Sequence, residues 1–247
     1  MQRLHLAGLL AILNLGISYA YLEPVLSVCK RNDPELDKCI ADVVERIRPN
    51  LASGKYGSAN EHPKIEPIIF EKMRIDRGPS FSANFSNLAI RGASKFVLKK
   101  LRTNAAENSL TANVILPTLD VLGKYVLNMN ILVLRIAGQG DVKATLNNTK
   151  AILRLEYFKE KINDKDTFRF RPVDVKIKFD KAQFYLSNLF NGDPTLERVG
   201  NDAINANPHV LLDEVKQSFE ENLSDSFTKL GNSLLRDIDA KEFFPED

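Results

Sequence analysis

The sequence has few of the residues that most often carry catalytic or metal chemistry. In 247 residues it contains no tryptophan, two cysteines and three histidines. It also lacks the G-x-S-x-G nucleophile elbow and the H-E-x-x-H zinc motif. His62 lies beside a proline and His209 in the first turn of a predicted helix, and neither has cysteine or acidic residues at metal-ligand spacing. We therefore expect no catalytic site, no metal site and no cofactor.

Long apolar runs and a strong charge of one sign are also missing. The formal net charge is +2. The densest basic cluster, Lys99 to Arg102, alternates between strand faces and has no interleaved aromatic residues, which argues against a nucleic-acid partner. Residues 1–20 combine Arg3, a short apolar segment and the cleavage-type sequence Ser18-Tyr19-Ala20, which predicts a signal peptide. We expect a secreted, extracellular chain without stable membrane insertion.

Cysteine is sparse but even in number. In an oxidising compartment Cys29 and Cys39 are expected to form a disulfide, which adds a little under about 3 kcal/mol by the chain-entropy relation. Two free thiols and a zinc pair are the alternatives, although no third or fourth zinc ligand accompanies the cysteines. Sequons at Asn84, Asn147 and Asn222 agree with secretion and are candidate glycosylation sites.

One long amphipathic helix is predicted near the C-terminus, from Asn207 to Ile238. Asn207 is a favourable N-cap, and Pro208 fits the first helical position. Apolar residues then recur every three or four positions, as on one helix face: Leu211, Leu212, Val215, Phe219, Leu223, Phe227, Leu230, Leu234 and Ile238. About thirty residues give a rod of roughly 45 Å. Its apolar partner should be a sheet that curves along the helix.

The region before this helix has the alternation of an antiparallel sheet with one solvated face. The pattern is clearest from Val173 to Phe179, where apolar and charged residues alternate strictly. A change of phase near Ser86-Asn87 predicts a β-bulge. Pro117 is expected to end a strand, and Gly138 with Gly140 to form a turn.

Other helices are predicted only near the two ends of the chain, from Pro34 to Leu51 and from Pro194 to Asn205. This segregation of helices and strands indicates the α+β class. The loop from Lys55 to Pro63 is the best candidate domain boundary, but the segment before it is too small to fold alone. We therefore expect a single domain over residues 21–247.

Several short motifs resemble those of one known family. A cysteine pair opens the mature chain, and the run Leu189-Phe-Asn-Gly-Asp193 precedes the final helices. The other matching motifs are Ile47-Arg-Pro49, Glu66-Pro67, Phe96-Val-Leu-Lys-Lys-Leu101-Arg102 and Phe243-Phe-Pro-Glu246. Together they resemble the takeout and juvenile hormone binding protein family of insects. With one cysteine pair and no tryptophan, the chain is more similar to the takeout branch than to the haemolymph hormone carriers. The sequence departs from the family at Met129 and Arg135, where glycine and proline are common.

The resemblance implies a secreted carrier in which a strongly bent antiparallel sheet wraps the long helix, a tubular fold of the super-roll type. It implies an internal apolar tunnel for a terpenoid, juvenile hormone-like or fatty-acid-like ligand, a circadian or feeding-related role, and no catalysis. We expect a monomer in which the segment from Cys29 to Cys39 closes one mouth of the tunnel. The expected wall residues are Phe219, Leu223, Phe227 and Leu230 on the helix, with Leu132, Leu134, Leu153, Leu155, Val175, Ile177 and Phe184 on the sheet.

Two other functions fit the same apolar patterns. A protein-binding signalling module would have a filled core, as most apolar stripes do, and a large exposed apolar patch. A secreted lipid-ester hydrolase would need a buried nucleophile beside a base, which the positions of His62 and His209 do not favour. An elongated cavity between helix and sheet distinguishes a carrier from a signalling module.

Overall fold

The computed structural model describes residues 29–56, 62–131, 134–162, 164–236 and 238–243. The predicted signal peptide lies outside these ranges. Within them, the helices are α1 Leu36–Ser53, α2 Pro194–Ala206, α3 His209–Leu235 and α4 Ala240–Phe243. The strands are β1 Ile68–Asp76, β2 Phe81–Arg91, β3 Val97–Asn104, β4 Ser109–Ile131, β5 Leu134–Ile162, β6 Lys165–Phe170, β7 Asp174–Lys178 and β8 Lys181–Leu186.

The strands form one antiparallel sheet around a very long hairpin. β4 and β5 pair without a register shift from Ser109 opposite Glu156 to Ile131 opposite Leu134. β3 and β2 pair with successive parts of β4, while β6, β7 and β8 pair with successive parts of β5. β1 extends the sheet beyond β2. The predicted α+β class is confirmed, and the sheet curls along α3 as expected.

The hairpin changes its inward face once, at Pro117 and the opposite residue Asn148. Before this level the paired residues Leu116 and Thr149 face inward, and beyond it Leu119 and Leu146 do. The predicted end of the strand at Pro117 is therefore wrong. Residues 116–119 lie between the segments that pair with β3 and β2, so Pro117 has no missing ladder bond on that side.

The predicted turn at Gly138 and Gly140 is also wrong, because both glycines lie inside β5. A Cβ at Gly138 would lie 2.9 Å from the Leu189 Cα, and one at Gly140 would lie 2.4 Å from a carbonyl oxygen of the same crossing segment. These glycines give a second backbone room to cross the strand. The last residues that pair at this end of the hairpin are Ile131 and Leu134.

Other local predictions agree with the structure. The register of β2 against β4 shifts between Ser86 and Ala89, which confirms the bulge. β7 buries alternate residues as the pattern from Val173 to Phe179 predicts. α3 begins one residue later than expected from an Asn207 cap, since Pro208 occupies the cap position.

α3 spans the opening between the two margins of the curled sheet. On one side the Phe219 ring lies 5.2 Å from the Phe70 ring of β1 and, on the other, 6.3 Å from the Phe179 ring that follows β7. Polar side chains of α3 also accept hydrogen bonds from backbone N–H groups on the unpaired side of the edge strands. Glu220 accepts from the Ile177 amide at 2.8 Å.

Similar hydrogen bonds between helix side chains and strand backbone occur along the margin formed by β6, β7 and β8. Thr228 and Asn232 of α3 accept hydrogen bonds from the backbone N–H groups that flank β7 and end β6, at 2.9 and 2.8 Å. On α2, the amides of Asn201 and Asn205 each accept from and donate to the backbone of β8, at 2.7–2.9 Å. Each such bond contributes about 1 kcal/mol, and together they satisfy groups that an open sheet edge would leave free.

Candidate functional site

The interior between the sheet and the helices has two halves that differ in side-chain burial. We name the first the packed half: it comprises β1, β2, β8, α2, the first turns of α3, and residues 119–131 and 134–146 of the hairpin. Its inward side chains are buried, and several of the large ones are at most 2% exposed, namely Phe81, Leu127, Met129, Ile136, Leu186 and Leu189. This half is a filled core.

The second half, named the open half, comprises α1, β3, β6, β7, the later turns of α3, α4 and residues 109–116 and 149–162. Many of its apolar side chains pack against the core but stay only half-buried, namely Ile40, Val114, Leu116, Leu153, Leu155, Tyr157, Phe170, Phe227, Leu234, Ile238 and Phe243. An inward apolar side chain that retains exposure is one that solvent still reaches. Solvent therefore reaches more of the inward side chains in the open half than in the packed half.

A small apolar cavity of ≈ 60 Å³ lies at the end of the open half. The disulfide and α1 form one side of it, and the ends of β4, β5, β6 and α4 form the other. Its apolar lining consists of Cys29, Leu36, Ile40, Val43, Ala105, Leu110, Tyr157, Phe170 and Phe243. Ligand pockets for small molecules usually measure roughly 300–1,000 Å³. Binding of a lipid-sized molecule at this end therefore requires movement of lining side chains.

The predicted disulfide is confirmed and anchors this end of the molecule. Cys29 and Cys39 are joined with an S–S distance of 2.06 Å. α1 continues along the free edge of β3, where the Asp37 carboxylate accepts hydrogen bonds from the Thr103 N–H and hydroxyl, both at 2.7 Å. Burial raises the pKa of Asp37, but these hydrogen bonds and the Arg102 charge together hold it below its ordinary value.

The predicted wall residues all lie in the interior where the structure describes them. Val175, Ile177, Phe184, Phe219, Leu223 and Leu230 are buried, and Leu153, Leu155 and Phe227 are half-buried. Phe184 belongs to the packed half, and Phe219 lies between the sheet margins. Leu132 and the side chain of Leu134 lie outside the described part. That these residues line a ligand tunnel stays a prediction.

Some residues of the open end were not among the predicted wall residues. Leu110, Tyr157, Phe170 and Phe243 line the cavity, but they follow the same apolar pattern as core residues. Burial raises the pKa of Tyr157, with the Arg31 charge opposing it, so its hydroxyl stays protonated at neutral pH. Phe170 approaches α3 at Gly231, where a Cβ would lie 2.6 Å from the Phe170 ring. This glycine therefore permits close packing of β6 on the helix.

Thr149 is a second feature that the sequence does not reveal. Its side chain lies on the inner side of β5, opposite Leu116 and on the same face as Ala151, and the residue is 1% exposed. Among the described residues, its Oγ1 has no hydrogen-bond partner. A buried hydroxyl left unpaired costs about 1–3 kcal/mol, so this group needs a physical explanation.

His62, one of the two histidines outside the predicted signal peptide, contacts α3. His62 Nδ1 lies 2.8 Å from the Ser233 Oγ of α3, and its ring packs 4.5 Å from the Tyr56 ring. Burial raises the pKa of Tyr56 to about 12. No group of three or more metal-ligating side chains occurs among the residues that the structure describes. Within the same ranges, no helix is long and apolar enough to cross a membrane.

The three sequons have different environments. Asn84 is exposed on β2, whereas Asn147 is half-buried on β5 and accepts a hydrogen bond from Thr118 at 3.0 Å. Asn222 lies within α3, and its Nδ2 donates to the Ser218 carbonyl at 2.8 Å. Glycosylation therefore fits Asn84 best, and its use stays a prediction.

A curled antiparallel sheet closed by a C-terminal helix defines the structural class, an α+β half-barrel. The crystal structure of Epiphyas postvittana Takeout 1 has the same fold, with a TM-score of 0.76 at 21% identity, covering 88% of this chain and 99% of that one. The circadian clock-controlled protein daywake of Drosophila melanogaster is 25% identical over 194 residues, covering 74% of this chain and 75% of the relative. Its Drosophila yakuba counterpart is 28% identical over 199 residues, covering 73% and 74%.

The family assignment follows from a match over nearly the whole chain. Residues 8–245 match the family described as Haemolymph juvenile hormone binding protein (JHBP). The chain belongs to this family, which confirms the resemblance drawn from its short motifs.

Proposed function

We propose that this protein is a secreted, monomeric, single-domain carrier that binds a small hydrophobic ligand in an apolar tunnel between α3 and the sheet, without catalysis. The observation that carries the proposal is the contrast in burial between the two halves. Apolar side chains of the open half are half-buried around a cavity, although the fold brings sheet and helix together there. Membership of a family named for juvenile hormone binding supports a terpenoid, juvenile hormone-like or fatty-acid-like ligand.

The energetics of such binding are adequate without covalent chemistry. A ligand of about fifteen carbons gains on the order of 10 kcal/mol gross, at about 0.8 kcal/mol per buried methylene. Lost translational freedom and ordering offset several kcal/mol of this gain. The remainder corresponds to an affinity of roughly micromolar order.

The ligand enters, in this proposal, at the end of the open half. The cavity of ≈ 60 Å³ is the unfilled part of that end, and the half-buried rings of Phe170 and Phe243 can move without uncovering a filled core. The disulfide ties the coil at Cys29 to α1, so that this segment closes the mouth. A circadian or feeding-related role stays a prediction, since the clock-controlled description belongs to the Drosophila relatives.

A charge placed in the proposed tunnel tests the function. Phe227 is half-buried on α3 and faces the interior of the open half, so Phe227→Glu should abolish uptake of a fluorescent fatty acid. Phe158→Glu is the matched control, because Phe158 lies on the outer side of β5 and is 36% exposed. Circular dichroism and unfolding curves would establish that both variants fold.

The outcomes separate a carrier from a filled core. A folded Phe227→Glu variant that takes up the probe normally would reject the proposed tunnel. Equal loss of uptake in the Phe158→Glu control would place the probe on the outer surface instead.

A further inference from the structure

The outer face of the open half carries a dense group of positive side chains, which we name the basic face. These side chains belong to β3, β5 and β7, whose inner sides face the open interior. All are exposed, and they are Lys99, Lys100, Arg102, Lys150, Arg154, Lys176 and Lys178. The cluster Lys99 to Arg102, whose pattern argues against a nucleic-acid partner, is one margin of this larger surface.

Strand register places these charges side by side. Lys150 of β5 lies directly opposite Lys178 of β7, and Ile152 lies directly opposite Lys176. Ile152 is 48% exposed, and Val97 at the same surface is 41% exposed. Large apolar side chains are thus interspersed among the lysines on one continuous part of the sheet.

Several of these charges lack a compensating carboxylate. Arg102, Arg154 and Lys176 each form ion pairs with neighbouring acidic residues. In the part of the chain that the structure describes, no carboxylate oxygen lies within 4.0 Å of the Nζ atoms of Lys99, Lys100, Lys150 or Lys178. Like charges directly opposite on paired strands are destabilising. This arrangement therefore does not serve the stability of the fold.

We propose that the basic face docks peripherally on the surface of an anionic lipid bilayer. Lysines attract anionic headgroups, and apolar side chains among them enter the boundary between headgroups and acyl chains. No aromatic residue lies among these charges on β3 and β7 or between Lys150 and Arg154 on β5, so this surface lacks the interleaved stacking residues of a nucleic-acid groove. Its isolated apolar side chains favour a bilayer over a purely acidic protein surface.

The basic face lies next to the cavity end of the open half. Its biological purpose rests on the proposed carrier function. β3 and β4 contribute Thr103 and Leu110 to the cavity lining, and their outer sides border or belong to the same surface. Docking would therefore hold the cavity end close to a bilayer, where a lipophilic ligand concentrates. Membrane docking itself can be measured without any ligand.

Vesicle sedimentation with the full mature chain tests the proposal. The wild-type protein should bind vesicles that contain phosphatidylserine and phosphatidylcholine, bind pure phosphatidylcholine vesicles weakly, and dissociate as salt is added. Each lysine near an anionic surface accounts for about a fivefold change in partition coefficient, so Lys150→Gln/Lys178→Gln should weaken binding about 25-fold. Ile152→Ser should weaken it by a smaller factor.

A matched double variant separates position from total charge. Lys72→Gln/Arg74→Gln removes the same number of charges from exposed positions on β1 of the packed half, and it should bind vesicles nearly as the wild type does. Equal losses in both double variants, or no binding of the wild type to anionic vesicles, would overturn the proposal.

The probe assay keeps this inference distinct from the carrier proposal. Lys150→Gln/Lys178→Gln should take up a fluorescent fatty acid in solution with unchanged affinity. Normal probe uptake without wild-type vesicle binding would reject membrane docking alone. Vesicle binding without probe uptake would reject the carrier function alone.

Discussion

The packed half and the open half are built on the same two strands, yet only one of them is filled. In the packed half, the small residues of the hairpin are covered by a second backbone segment. Leu88 lies over Gly123, and the segment around Leu189 crosses Gly138. In the open half, Ala151 is buried, but several inward side chains of the same strands remain half-buried. Unfilled space therefore depends more on whether a second backbone segment crosses the hairpin strands than on the size of the residues in those strands.

The largest expected effect compares one leucine from each half. Leu127→Ala should cost about 3 kcal/mol of unfolding free energy, because Leu127 is 2% exposed in a filled core. Leu155→Ala should cost about 1 kcal/mol, since its side chain is already half-buried. Guanidinium unfolding of both variants measures the difference. Equal costs would mean that the two halves are equally well packed.

The disulfide should matter most to the open half. Cys29→Ser/Cys39→Ser should lower the unfolding free energy by about 2–3 kcal/mol on the chain-entropy relation, and it should speed release of a fluorescent fatty acid. Stopped-flow dissociation kinetics with the oxidised wild type as reference measure this. Unaltered release rates would remove the disulfide segment from the proposed mouth.

Thr149 lies at the boundary between the halves, and its replacement should stabilise the protein. Thr149→Val removes an unpaired buried hydroxyl and should raise the unfolding free energy by about 1 kcal/mol. The comparison requires unglycosylated protein, because the change also destroys the Asn147 sequon. Thr167→Val is the control: this buried hydroxyl has an acceptor, the Phe168 carbonyl at 3.4 Å, so its loss should not stabilise.

If Thr149→Val stabilises the free protein, the relative affinities of two ligands can test whether the Thr149 hydroxyl bonds to a ligand. The substitution should weaken binding of a ligand that supplies a hydrogen-bond partner for Thr149. It should not weaken binding of a hydrocarbon of equal length. Competition between a fatty alcohol and an alkane measures this preference. A destabilised Thr149→Val variant would indicate instead that a bound water satisfies the hydroxyl.

The smallest expected effect concerns the outer surface of the open half. Lys178→Glu converts a like-charged cross-strand pair with Lys150 into an opposite-charged one and should raise stability by about 0.5 kcal/mol. Lys176→Glu is the contrasting variant, since Lys176 already pairs with Asp174 and Glu220, and should lower it. Thermal unfolding at low salt distinguishes the two. Identical shifts would show that these charges do not interact across the strands.

The sequence predicted the elements whose causes are local. The apolar period of α3, the alternation around β7 and the bulge near Ser86 follow from side chains a few residues apart. The predictions at Pro117 and Gly138 are wrong because the reason for each depends on distant segments. Pro117 lies where neither β3 nor β2 pairs with β4, and Gly138 lies where the backbone at Leu189 crosses the strand.

The candidate site was predictable only in part, for a related reason. Periodicity identifies inward residues such as Leu153 and Phe227, but it contains no information on how completely the space beside them is filled. The unpaired hydroxyl of Thr149 and the lysine pair across β5 and β7 depend on strand register, which single-sequence patterns do not give.

The side-chain amides and hydroxyls that fasten α2 and α3 to the sheet margin bond to main-chain atoms of β6, β7 and β8. Main-chain atoms are the same whatever amino acid carries them. Attachment of the helices is thereby insulated from the identity of the inward residues on those strands. Such an architecture lets mutation reshape the interior while the scaffold persists, which would allow one family to diversify its cargo without rebuilding its frame.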